Sequence, residues 1–401
     1  MHSQKPEENP VIVLGLLVLA CLALATPVRC QELKVLPAKY QAAANRLVDK
    51  SPRKGGLNCS IEREKPYPDF TFHFDAGYYM TCPFWQFGGK DTRIGIFVQV
   101  TPRGRAPVVL GTYGVFRGST AKLSPMVPGK GKAEFDVAGG FSVGEGHYHV
   151  KVLIRDSHGR SCSRRWKIKV TPREQRKVPV VLAAHQVAPL QIPAWHGPQS
   201  RGGLRLTVLL SATAFSHYAA RLRSWNQTML LQILSALLQQ TPCKSVRLVA
   251  FNLDRQRVIY RADSFEPSGF ARLQHAFNHL NLAVVSVHAL KRRNDWAEWL
   301  AGLANQQIAA DPMPDAVIFL GRTVAWTHKV PQKLLSSRET EKPRFFYFEN
   351  GPWNLFPDAL GYLTKSLGGK IYRINTPHDL GKAIQNMLAQ LRQTGPNAEG
   401  W

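Results

Sequence analysis

The hydrophobic period changes once along this chain, and that change limits what it can fold into. Between residues 66 and 171 the apolar positions alternate: Phe70, Phe72 and Phe74; Ile94, Ile96, Val98 and Val100; Phe135 and Val137; Tyr148, Val150, Val152 and Ile154; Trp166, Ile168 and Val170. Period two with turn residues between the runs predicts half-buried antiparallel strands. Arg155–Arg160 reads as the connection of one hairpin. From 204 to 393 the pattern is different. Apolar strand-like runs (204–210, 246–251, 257–260, 316–320, 345–348, 371–374) alternate with helical segments (218–240, 270–280, 296–308 and a last one opened by Thr376, Pro377 and Asp379). Strands alternating with helices predict a mostly parallel, doubly wound sheet. Residues 172–203 hold Pro172, Pro179, Pro189, Pro193 and Pro198 and read as an extended linker.

The amino terminus constrains the compartment. Residues 11–25 are uncharged and apolar, shorter than the ~20 residues a spanning helix needs. Ala23-Leu24-Ala25 follows the small-x-small pattern of a signal-peptidase site. The expectation is a signal peptide or anchor over 1–25, which makes the protein secreted or periplasmic, with membrane tethering by that segment as the alternative. A lead-in segment with a short helix near Ala38–Asp49 follows over 26–65, and a tail over 394–401. Of the six cysteines, Cys82 and Cys162 both fall in the β-rich segment and are the favoured disulfide. Asn58-Cys59-Ser60 and Asn226-Gln227-Thr228 match glycosylation acceptors.

Charge is the strongest compositional signal. The chain has 52 Lys+Arg against 27 Asp+Glu, a net charge of +25. That excludes a self-solvating acidic protein and points to anionic surroundings. The densest cluster is Arg160, Arg164, Arg165, Lys167, Lys169, Arg173, Arg176 and Lys177, with Lys291-Arg292-Arg293 further on. Lys167 and Lys169 alternate with Trp166 and Ile168, which puts the lysines on the solvent face of a strand. Anionic lipid, lipopolysaccharide or polysaccharide fits an exported chain better than nucleic acid does.

Catalytic signatures are weak. Gly140-Phe141-Ser142-Val143-Gly144 matches a nucleophile elbow, which needs a strand before it and a helix after it. The Tyr148 strand follows instead, so the segment reads as a flexible turn. His275 and His279 are four apart on a helical segment without a third ligand nearby. A cell-wall polysaccharide enzyme would need paired acids in a cleft; Asp295 and Glu298 are three apart on one helical segment but face solvent as easily as a cleft. No phosphate-cradling loop occurs.

Two resemblances complete the reading. Gly144-Glu145-Gly146-His147-Tyr148 resembles the tyrosine corner of immunoglobulin-like sandwiches, which implies that the Tyr148 hydroxyl ties its strand to the preceding loop. The order of elements over 204–393 resembles the von Willebrand factor type A fold. A β-sandwich before such a domain is similar in architecture to bacterial envelope proteins related to that family. The resemblance implies a metal-ion-dependent adhesion site after the first strand, built on Asp-x-Ser-x-Ser. Here Ser211, Thr213 and Phe215 occupy those three positions, and Leu320-Gly321-Arg322 supplies no later Asp. Without carboxylates a hard Mg²⁺ is poorly held. The expectation is therefore a degenerate site with no metal and no cofactor. Ser211, Thr213, Phe215 and Arg322 would form a rim that binds an envelope or extracellular protein without enzymatic activity. A cationic module for anionic glycan or lipopolysaccharide is the alternative.

Overall fold

The computed structural model describes residues 33–52, 54–70, 72–87, 91–116, 134–171, 182–192, 194–198, 203–213, 224–278, 296–323, 330–336, 342–351 and 358–392. The leader (1–25), Cys30, residues 172–181 with Arg173, Arg176 and Lys177, residues 193 and 199–202, Phe215, His279, Lys291–Arg293, Asp295 and the tail lie outside them. No described helix is long and apolar enough to cross a membrane. The chain divides into two compact units: residues 1–67, 73–176 and 180–190 form the first, and residues 68–72, 177–179 and 191–401 the second.

The first unit is a sandwich. Its strands are β1 (Lys34–Val35), β2 (Lys54–Gly55), β3 (Ser60–Pro68), β4 (Phe74–Pro83), β5 (Thr92–Pro102), β6 (Val108–Phe116), β7 (Glu134–Val143), β8 (Gly146–Asp156), β9 (Ser161–Val170) and β10 (Val187–Pro189). One sheet runs β1-β6-β5-β8-β9-β2 and the other β10-β7-β4-β3. The alternation dictates which side is core. Val98 and Val100 of β5, Val150, Val152 and Ile154 of β8, and Trp166, Ile168 and Val170 of β9 turn inward. They meet Phe74, Tyr78 and Met80 of β4 and Phe141 and Val143 of β7. Helix α1 (Ala38–Lys50) packs on β5, β6 and β8 and buries Ala44 and Val48. Its Gln41 bridges Leu36 and Val109 through their backbone groups, at 2.8–3.0 Å, and its Asn45 and Asp49 accept from Gln99 at 3.1 and 3.0 Å. Asp156 closes the β8–β9 turn: its carboxylate accepts from the His158 and Arg160 backbone N–H groups and from the Arg160 guanidinium at 2.7 Å.

The second unit is a six-stranded mixed sheet, ordered β13-β12-β11-β14-β15-β16. The strands are β11 (Leu204–Ser211), β12 (Cys243–Asn252), β13 (Arg257–Ala262), β14 (Ala316–Arg322), β15 (Arg344–Asn350) and β16 (Lys370–Arg373), and β13 alone runs antiparallel to its neighbour. Helices α2 (Ser224–Gln240), α3 (Gly269–Asn278), α4 (Trp296–Ile308), α5 (Ala359–Ser366) and α6 (Pro377–Arg392) complete it. Leu206, Val208 and Leu210 pack with α2, α3 and α6. Leu209, Val249 and Phe319 pack with α4 and α5 on the other face. A sheet buried on both faces reads as continuous apolar runs, because no position in its strands can stay polar without a partner.

These observations correct the expected fold class, an immunoglobulin-like sandwich followed by a doubly wound, von Willebrand A-like domain. Among the described residues strand accounts for 43%, in three sheets, and helix for 30%. The sandwich has sheets of six and four strands, where an immunoglobulin constant-type domain has roughly seven strands in all. The surplus has a local cause. The supposed lead-in supplies β1, α1, β2 and most of β3, and the supposed linker supplies β10, which pairs with β7. The expected strand through Phe70 and Phe72 is absent too. Phe72 has φ of 63°, so the chain turns there and β4 begins at Phe74.

The expected Cys82–Cys162 disulfide is also corrected. Cys162 bonds Cys59, with Cα atoms 6.3 Å apart. β2 pairs with β9 at Lys54↔Cys162, which brings the segment ending in Cys59 alongside β9. Cys82 is buried on β4 opposite Phe135 in the other sheet.

Candidate functional site

Of the residues singled out in the second unit, Ser211, Thr213 and Arg322 lie at the carboxyl ends of β11 and β14, the two hydroxyls as internal fasteners, while His275 and Glu298 sit apart on α3 and α4. Ser211 and Thr213 are 2% and 1% exposed. The Ser211 hydroxyl donates to Thr213 Oγ1 at 3.1 Å, and Thr213 Oγ1 accepts the Leu253 backbone N–H at 2.8 Å. Asn252 Nδ2 donates to the Ala212 carbonyl at 2.9 Å. Gly321 is required beside them, since a Cβ there would fall 2.7 Å from Ser211 Cβ. Neither hydroxyl offers a binding surface, which corrects that part of the expected rim. Arg322 is half-buried at the end of β14, and Phe215 lies outside the described residues. Sequence reading missed the charged part of this end. Thr323 donates to Glu349 at 2.8 Å, and Arg373 Nε approaches the other Glu349 oxygen at 3.4 Å. Among the described residues no group of three or more His, Cys, Asp and Glu could hold a metal.

Ser142, the would-be nucleophile, sits inside β7 and not in a turn. It is buried, and its hydroxyl donates to Asp75 Oδ1 at 2.6 Å. The Tyr148 hydroxyl donates to the Gly144 carbonyl at 2.8 Å, with the Glu145 and Gln186 carbonyls at 3.3 and 3.4 Å. It ties β8 to the loop before it. Burial pushes its phenol up to about 12.

The outward face of β8 and β9 is different in kind. Antiparallel pairing sets Arg165 opposite Lys151, Lys167 opposite His149, and Lys169 opposite His147. Arg165, Lys167, Lys169, His147 and His149 are exposed, and Lys151 is half-buried. Directly opposed side chains have Cβ atoms about 5 Å apart, and same-face neighbours along a strand are about 7 Å apart. The six bases therefore form a two-by-three array about 14 Å long. Lys151 donates to the Asp49 and Ser51 carbonyls at 3.1 and 3.2 Å. Burial and then the Arg165 charge pull its ammonium below the ordinary lysine value, against Asp49. Among the described residues no carboxylate pairs with Arg165, Lys167 or Lys169. Among the described residues no strand pairs with the outer edge of β9 beyond Cys162. Charged residues on an edge strand also deter edge-to-edge association. A guard of that kind needs charges on β9 alone, whereas this array extends inward onto β8.

No protein-family model matches the chain, and no curated protein matches it in sequence. Among solved structures, a putative ApaA protein from Bordetella pertussis is similar at 12% identity, covering 30% of this chain and 99% of that one, with a TM-score of 0.18. A Bacteroides uniformis beta-glucuronidase is similar at 6% identity, covering 79% of this chain and 45% of that one, with a TM-score of 0.18. At such scores neither likeness carries a functional argument.

Proposed function

We propose that this is a non-enzymatic, exported binding protein whose first unit holds an anionic polysaccharide on the outward face of β8 and β9. One observation carries the reading: Arg165, Lys167 and Lys169 stand side by side on the outward face of β9, with Lys151 directly opposite Arg165. The like-charged Lys151–Arg165 pair destabilises the sheet, and a bound polyanion removes that cost. Repeated sulfate, phosphate or carboxylate groups along one chain would meet the array along its length. The Cys59–Cys162 disulfide supports an oxidising compartment, as disulfides persist outside the cytosol, and so does the apolar run at 11–25.

The test is salt-gradient elution of the full chain from immobilised heparin, as a model sulfated polysaccharide. The charge-reversed variant R165E/K167E/K169E should elute at much lower salt than the parent. A K291E/R292E/R293E variant, altered in the other basic cluster, should elute with the parent. Unchanged elution of the first variant would end the proposal. Binding to anionic-lipid vesicles with none to heparin would replace the polysaccharide by a membrane surface.

A further inference from the structure

The first unit holds a cavity at one end of its sandwich. It measures about 430 Å³ and opens between the β5–β6 turn and the segment that leads into β10. Pro102, Val108, Leu182 and Val187 give it apolar walls, and Arg105 and His185 are its basic groups. No Asp or Glu is among the residues that line it. Small-molecule sites share this make-up: a few hundred Å³, mostly apolar walls and a few placed polar groups.

Two glycines allow this end to form. A Cβ at Gly144 would fall 2.0 Å from the Ala183 carbonyl oxygen, and one at Gly146 would fall 2.6 Å from His185 Nδ1. Without those atoms, residues 182–186 can lie directly on the β7–β8 turn. The His185 N–H donates to the Glu145 carbonyl at 2.8 Å, and the Gly144 N–H donates to the Gln186 carbonyl at 3.1 Å. His185 has φ of 65°, a left-handed conformation that few residues other than glycine adopt. Strain of this kind persists where the surroundings hold it, and it collects at ligand sites.

The packing against Gly146 decides which His185 nitrogen serves the cavity. Nδ1 is sealed from water and has no hydrogen-bond partner among the described residues. A proton there would be buried without an acceptor, so the neutral ring carries its proton on Nε2, as a donor. Arg105 is exposed and pairs with no carboxylate among the described residues. Glu145 is half-buried and stands outside the lining. The cavity therefore offers one fixed positive charge and one further donor against apolar walls.

We propose that this cavity binds a small monocarboxylate with a compact apolar body. The Arg105 guanidinium would take the carboxylate as a two-pronged ion pair, and His185 Nε2–H would donate to it. Pro102, Val108, Leu182 and Val187 would cover the hydrocarbon. A sugar acid, hydroxylated on every side, would leave hydroxyls against those walls without partners. The ligand is therefore of a different class from the polyanion assigned to β8 and β9, and the site does not depend on that reading.

The test is calorimetric titration of benzoate into the full chain at about 0.15 M salt, where distant charges are screened. Saturable one-to-one binding is expected. Benzyl alcohol keeps the ring and loses the charge, and it should bind about tenfold or more weakly. Arg105→Gln, a change at an exposed residue, should weaken benzoate by a similar factor without lowering the melting temperature. His185→Asn suits the left-handed backbone but is too short to reach the ligand, and it should weaken benzoate about fivefold. Arg103→Gln alters an exposed arginine outside the lining and should bind as the parent does. Absence of benzoate binding would overturn the proposal. So would equal affinity for benzyl alcohol, or an equal loss in Arg103→Gln and Arg105→Gln, which would reduce the effect to net charge.

Discussion

The two large sheets of this molecule handle their outward positions in opposite ways. In β9, Trp166, Ile168 and Val170 enter the sandwich core while Arg165, Lys167 and Lys169 face water. In β11, Val208, Leu209 and Leu210 are all fully buried, because helices cover both faces. A sheet solvated on one face can carry function across that face. A sheet covered on both can carry it only at strand ends and at its edge strands. The first unit accordingly places a cationic array on the outward face of β8 and β9. Among its described residues the second has its strand ends sealed by the Ser211–Thr213–Leu253 hydrogen bonds.

Substitutions measure that difference. Leu209→Ala should cost about 2–5 kcal/mol, while Lys167→Ala should stay within about 0.5 kcal/mol. Denaturant titration of both variants checks this, and equal costs would break the comparison. Removing the disulfide with C59S/C162S should cost about 2–4 kcal/mol, because it closes a long loop; its partners are 103 residues apart. The cost should appear in the transition that reports on the sandwich. Tyr148→Phe deletes the tie to Gly144 and should cost about 1 kcal/mol, read as a small fall in the same transition.

Alkali should weaken each unit through a different group. In the second, burial pushes the Cys243 thiol from its ordinary value of 9.0 up to about 12. In the first, Tyr148 rises from 10.0 to about 12. Both stay protonated when folded and lose their protons earlier when unfolded. Their contribution to stability is therefore complete below pH 9 and declines as pH rises toward 12. Cys243→Ala should flatten the start of that decline, seen in melting temperature against pH.

Much of the architecture was legible where periodicity is strong. The Trp296–Ile308 helix has the bounds its pattern predicts, and the Arg155–Arg160 connection is the turn that Asp156 closes. The helix at Ala38 was also visible, but its role was not. Its buried face is only Ala44 and Val48, too small to announce that it packs on a sheet. Helix α5 escaped notice because its eight residues, ALGYLTKS, hold barely two turns and follow an aromatic, proline-containing stretch. The disulfide depended on pairing between β2 and β9 across more than a hundred residues, which local sequence cannot encode. The outward placement of Lys167 and Lys169 could be read from alternation. The partners opposite them, His149 and His147, needed the register. The rim residues Ser211 and Thr213 were correctly placed at a strand end, but their burial followed from long-range bonds to Leu253 and its neighbours.

The most direct test of the account is a titration of a labelled sulfated oligosaccharide into the full chain at rising salt, repeated with R165E/K167E/K169E. The account predicts saturable binding to the parent that weakens steadily as salt screens the array, and a variant that folds normally but binds at least about tenfold more weakly. Equal affinity and equal salt dependence for the two proteins would contradict it.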